Sequence, residues 1–186
     1  MALSPPPSLV QLVKDNLNAD ATWKTWLNSL YKYVKNNKAI TFFQVQDDGT
    51  TGQLTTGTAA DLTGMWGTPT LTDSDFSWNG TTGILTVNTT GVVEFDIKVT
   101  SYNNANNRHE LHIQLYKNGT TVLVEDSQYA SVDNTQDEGS SYICGFKDSA
   151  TATDTYRVRV FHVGVAATIG ATNVANETYI SAKLYV

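Results

Sequence analysis

HELHIQLYKNGTTVLVEDS, residues 109–127, decides the fold. Leu111, Ile113 and Leu115 alternate with His112, Gln114 and Tyr116. A period of two places alternate side chains on opposite faces of a strand. Asn118-Gly119 interrupts the run, and apolar residues resume at Val122. Asn-Gly is the pair that best tolerates the positive φ angles of a two-residue hairpin. The stretch therefore predicts two antiparallel strands and a tight turn.

The same signal extends in both directions. FSWNGTTGILTV, residues 76–87, predicts strand, Asn-Gly turn and strand. NTTGVVEFDIKVTSY, residues 88–102, predicts a strand led by a Gly turn, with Val93, Phe95, Ile97 and Val99 on one face. AITFFQV (39–45), SSYICGF (140–146), TYRVRVFHV (155–163) and ETYISAKLYV (177–186) complete eight or nine short strands. Many short strands with turn signals between them predict an antiparallel β-sandwich or barrel. Residues 53–75 are turn-rich and offer Trp66 as their one large anchor.

The front of the chain differs. MALSPPP is expected to be extended, because Pro fixes φ and lacks an N–H. Ser8 and Gln11 form a capping-box pattern for a short helix over about 9–16, carrying Leu9, Val10, Leu12 and Val13. A second helix, capped at Asp20 or Thr22, places Trp23, Trp26, Leu27, Leu30, Tyr33 and Val34 on one stripe. A helix of about 15 residues is marginal alone in water, so this stripe needs a partner. The reading divides the chain into an anchor, 1–38, and a β-sandwich domain, 39–186. The anchor holds five Lys against two Asp, a net +3, which leaves −9 of the chain's −6 on the body. Such a split suggests that the two ends meet different surfaces.

Several function classes lack support. The acidic body argues against nucleic acid. No run approaches the length of a membrane span, and the first residues lack the pattern of a cleaved signal. Cys144, the single cysteine, lies in an apolar run and is expected to be buried and inert. His109 and His112 fall on opposite faces of one strand, so they do not pair on a metal. Asp133–Glu138 is acidic but departs from the EF-hand pattern, so no metal or other cofactor is expected. No nucleophile elbow, phosphate loop or dinucleotide fingerprint is present, and an enzyme is not expected. Tyr102, Asn103, Asn104, Asn106 and Asn107 form a polar loop that could bind a ligand such as a host surface glycan. Trp78, Tyr129 and Tyr142 are further candidates for exposed aromatics.

Two resemblances follow from these motifs. FSWNGTTGILTVNTTGVVEFDIKV, HELHIQLYKNGTTV, DTYRVRVFHV and the terminal strand with Tyr179, Ile180, Leu184 and Val186 resemble the jelly roll of tumour-necrosis-factor-like and complement-type globular heads. That family usually has Gly-Asp before the strand that begins near Tyr156, whereas ATATDT supplies the Asp without the Gly. PPPSLV followed by WLNSLYKYV resembles the N-terminal anchor of tailed-bacteriophage virion proteins. The resemblances imply a homotrimeric, non-enzymatic virion structural protein assembled in the host cytoplasm. It would be a capsid decoration (cement) protein or short head fibre, attached to the major capsid protein or another virion protein through residues 1–38. The stripe would be either the trimer seam or the docking element. The alternative is a tail-fibre-like adhesion module that binds a receptor or carbohydrate.

Overall fold

The computed structural model describes residues 25–27, 29, 40–49, 52–53, 57–103, 109–130, 137–164, 168–169 and 178–186. The chain divides into two units, Met1–Ala39 and Ile40–Val186. In the first, residues 25–27 and 29 are helical.

The second unit is a sandwich of two antiparallel sheets, as the alternation predicts. Its strands are β1 (Thr41–Gln46), β2 (Gly52–Gln53), β3 (Ala60–Asp61), β4 (Leu71–Thr72), β5 (Phe76–Asn79), β6 (Ile84–Val87) and β7 (Gly91–Asn103). There follow β8 (His109–Lys117), β9 (Thr121–Ala130), β10 (Asp137–Ala150), β11 (Thr155–Gly164), β12 (Thr168–Ile169) and β13 (Tyr179–Tyr185). One sheet has seven strands in the order β2-β12-β7-β13-β1-β4, with β10 also paired to β7. The other has six, β5-β6-β11-β8-β9, with β3 paired to β11. The strands are not all short, since β7 has 13 residues and β10 has 14.

Alternation explains the core. Val93, Phe95, Ile97 and Val99 on β7 are all buried, as expected. They face Leu111, Ile113 and Leu115 on β8 and Tyr156, Val158 and Val160 on β11 across the sandwich. Phe43 and Val45, then Ile180, Ala182 and Leu184, extend the same layer. Each fully buried Leu, Ile, Val or Phe side chain contributes about 1.5–3 kcal/mol, so this layer drives the fold.

The turns are partly as expected. Asn118 and Gly119 have φ of 51° and 73°, and Thr120 N–H donates to the Lys117 carbonyl at 3.2 Å, the geometry of the expected hairpin. The Asn79-Gly80 turn is longer than expected. Asn79 pairs with Ile84, so four residues lie between the strands, and the positive φ falls on Gly83. The Asn79 side chain causes this by accepting from the N–H groups of Thr81 and Thr82. Gly91 is not a turn glycine either. It starts β7, and a Cβ there would lie 2.4 Å from the Tyr185 carbonyl oxygen.

Residues 57–75 hold more core than Trp66 alone. Leu62 and Met65 are also buried, and the Trp66 indole N–H donates to the Leu62 carbonyl at 2.9 Å. Before β11, where the resembling family has Gly, Thr153 takes a φ of 81°, in the left-handed region that favours glycine.

Candidate functional site

The outer face of the seven-stranded sheet is the candidate. Register sets its rows. Phe42 pairs with Lys183, Lys183 with Glu94, and Glu94 with Lys147, which makes one row across β1, β13, β7 and β10. Tyr185 with Val92 makes a second row, Leu71 with Gln44 a third, and Tyr179, Lys98 and Tyr142 a fourth. Leu71, Phe42, Val92 and Tyr142 are 52%, 41%, 38% and 49% exposed. Ile40 and Val186 at the sheet's margin are exposed as well. Large apolar side chains gathered on one solvent-facing sheet face mark an interaction surface.

The charges between them are already paired. Glu94 accepts from Lys147 at 3.1 Å, Lys183 at 3.3 Å and the Tyr185 hydroxyl at 3.0 Å. The hydrogen bond from Lys147, then that from Tyr185, lowers the Glu94 pKa. The bond to Glu94, with the charge of Asp96 next, raises that of Lys183. Lys98 and Lys147 lie over the rings of Tyr142 and Tyr185. A face whose charges are paired within the chain can be covered without stranding a bare ion.

Cys144 corrects the expectation of a buried thiol, because it is exposed. The β10–β7 register slips between Ile143 and Phe146, and Gly145 has a φ of 64°. Cys144 follows buried Ile143 and so falls on the outward parity of Tyr142, at the edge of this bulge. A hydrogen bond with Asp96, then the Asp96 charge, raises its pKa, so the exposed thiol is not an activated one.

One end of the sandwich carries a second polar cluster. Lys117 Nζ lies 2.8 Å from both Asp148 and Asp154 and donates to the Ser149 carbonyl. Burial opposes the Lys117 charge, but bonds to the two carboxylates outweigh it and raise its pKa. Burial also opposes the Asp154 charge, yet bonds from Asn118, Lys117 and the Thr151 N–H lower its pKa to about 2. The Tyr156 hydroxyl donates to Asp148, and burial followed by that bond raises its pKa. Every group in this cluster has a partner, which makes it a fastening between β8, β10 and β11.

The expected site residues are placed as follows. Leu9, Val10, Leu12, Val13, Trp23, Leu30, Tyr33 and Val34 lie outside the described residues. Trp26 and Leu27 are helical, with Trp26 half-buried and Leu27 exposed. Tyr102 and Asn103 end β7, while Asn104, Asn106, Asn107 and residues 133–136 lie outside the described residues. Trp78 is not a free aromatic: it packs on Phe43 at 5.3 Å and edge-on to Trp66 at 5.7 Å. Tyr129 and Tyr142 are exposed but occupy the outer faces of opposite sheets, so they do not form one platform. Among the described residues no group of His, Cys, Asp and Glu could hold a metal ion, and no helix could cross a membrane. The outer face was readable from two doublets, Phe42-Phe43 and Val92-Val93. Each doublet puts an apolar side chain on both faces of its strand.

The fold is the jelly-roll sandwich of tumour-necrosis-factor-like proteins. The chain is similar to Eiger TNF from S. frugiperda, with a TM-score of 0.58 and 12% identity over 80% of this chain and 94% of that one. It is also similar to murine APRIL crystallised at pH 5.0, with a TM-score of 0.51 and 12% identity over 78% of this chain and 99% of that one. No protein-family model and no curated sequence matches it.

Proposed function

We propose that the chain is a non-enzymatic virion structural protein of a tailed bacteriophage. It acts as a homotrimeric capsid decoration protein or short head fibre, attached through residues 1–38. The observation that carries the reading is the apolar outer face of the seven-stranded sheet, where Phe42, Leu71, Val92 and Tyr142 are exposed together. Three copies packed through that face would cover it, and the shared fold with Eiger and APRIL makes a trimer the natural arrangement. The phage assignment rests on the anchor-like front segment and on the opposite charge of the two parts. The body then meets its sister copies, and the basic segment is left to meet the particle.

The test is the solution mass, by light scattering, of the full chain and of a chain starting at Ala39. Trimers in both cases support the reading and free the N-terminal segment for docking. A trimer of the full chain alone makes the segment the seam. Monomers in both cases overturn it. An adhesion module is the second reading, favoured by the exposed tyrosines and the polar 102–107 loop. Copy number per particle separates the two: a decoration protein covers the whole shell, whereas a fibre adhesin is present in few copies.

A further inference from the structure

Asparagine is followed by glycine at two places, Asn79-Gly80 and Asn118-Gly119. No Cβ shields the glycine nitrogen, which can therefore attack the asparagine side-chain carbon. A bond forms between that nitrogen and Cγ, and the bond from Cγ to the side-chain nitrogen breaks. The glycine amide proton leaves with the side-chain NH2 as ammonia. Water then opens the succinimide at either carbonyl, to aspartate or isoaspartate, and nothing is oxidised or reduced.

The fold treats the two pairs differently. Asn118 is tied to β11 and to the turn before it: its Nδ2 donates to Asp154 at 2.9 Å. Its Oδ1 accepts from the Thr155 N–H at 2.9 Å and the Thr155 hydroxyl at 3.3 Å. The Asn118 N–H also donates to the Thr155 carbonyl at 2.8 Å. The leaving group is held by the turn before β11 and the carbonyl by the first residue of β11. Asn79 is exposed, and its side chain folds back over its own turn. Its Oδ1 accepts from the N–H groups of Thr81 at 3.1 Å and Thr82 at 3.2 Å. These bonds stay within one turn, so they do not tether the Asn79 side chain to another part of the sheet.

We propose that Asn79-Gly80 is a site of spontaneous deamidation in the folded protein and that Asn118-Gly119 is protected by its bonds to β11. The product adds one negative charge to the β5–β6 turn. In the isoaspartate form it also lengthens the backbone there.

The full chain is incubated in mildly alkaline buffer and digested with trypsin. Lys98 and Lys117 place the two asparagines in separate peptides. In the folded chain the Asn79 peptide should show the amide-to-acid mass change at least several times faster than the Asn118 peptide. In denaturant the two should react at similar rates. Gly80→Ala should slow Asn79 alone. Alanine fits there, since a Cβ would meet only the Trp78 ring, at 3.4 Å or more, and the backbone φ is not positive. Equal rates in the folded chain overturn the proposal. So does an inert Asn79 under conditions in which the denatured chain reacts.

Discussion

Thr178 N–H donates to Asp47 Oδ2 at 2.6 Å, and Asp47 N–H donates to the Thr178 carbonyl at 2.9 Å. The pair joins residues that lie 131 positions apart and fastens the end of β1 to the start of β13. Asp47 is 2% exposed and also accepts from the Gly49 N–H. Thr178 Oγ1 in turn accepts from the Thr100 N–H on β7. Asp47→Ala leaves two backbone donors without their carboxylate, and losing hydrogen bonds to a charged group costs about 1.5–3 kcal/mol each. The expected outcome is a lower urea midpoint with an unchanged slope. A midpoint like that of the parent would mean that water replaces the carboxylate without cost.

This pair also shows where the sequence stops being readable. The inward faces of β7, β8 and β13 follow from alternation, because the pleat ties side-chain direction to residue parity. Asp47 reads locally as a turn residue, and it is one for Gly49. Its larger role depends on a partner brought close only by the closed sandwich. Cys144 failed for a related reason. Its apolar neighbours suggested burial, but it follows buried Ile143 and so shares the outward parity of Tyr142. The candidate face was half legible: Phe42-Phe43 and Val92-Val93 announce it, but only register puts Tyr142 and Leu71 on the same side.

Thr153 offers a stabilising change. A β-branched residue at φ of 81° sits where side chains are disfavoured, at a cost of about 1–2 kcal/mol. Glycine removes that strain but restores about 0.5–1 kcal/mol of unfolded-chain entropy. Thr153→Gly should therefore stabilise by up to about 1 kcal/mol, or about 2–4 °C in Tm for a domain of this size. Calorimetry decides the sign. A lower Tm would show that the hydroxyl or methyl group makes a contact worth more than the strain.

Asp154 sets an acid limit. Its folded pKa, about 2, lies below the ordinary 3.8, so its contribution is present above the ordinary value and is lost as pH falls towards the folded one. Asp154→Asn should lower stability near neutrality and flatten the loss between about pH 4 and 2 relative to the parent. Unfolding free energies across that window test it. Parallel pH profiles for parent and variant would show that Lys117 and Asn118 do not hold this carboxylate in solution.

The proposed trimer can be tested on the face itself. Phe42 and Tyr142 lie on the outer side of the seven-stranded sheet, each beside a lysine of the same face, Lys183 and Lys98. Phe42→Lys with Tyr142→Lys removes apolar area and adds like charge next to Lys183 and Lys98, while the inward core is untouched. The expected result is a monomer by light scattering with an unchanged far-ultraviolet spectrum. A trimer that survives both changes would move the seam off this face. Three copies would then have to meet elsewhere on the body or through residues 1–38.

Docking to a particle rests on the other end of the chain. Trp23→Ser with Trp26→Ser removes the two largest apolar groups of the expected stripe. The variant should remain as well folded in its β-sandwich as the parent, by near-ultraviolet spectrum and Tm, and should fail to co-sediment with particles. The mass of the variant distinguishes the two roles of the stripe. If particles are lost and the trimer persists, the stripe docks the protein. If the trimer is lost as well, the stripe is the seam, and the apolar sheet face is too weak to assemble the body alone. Full retention on particles by a variant with native mass would place the attachment on the acidic β-sandwich instead.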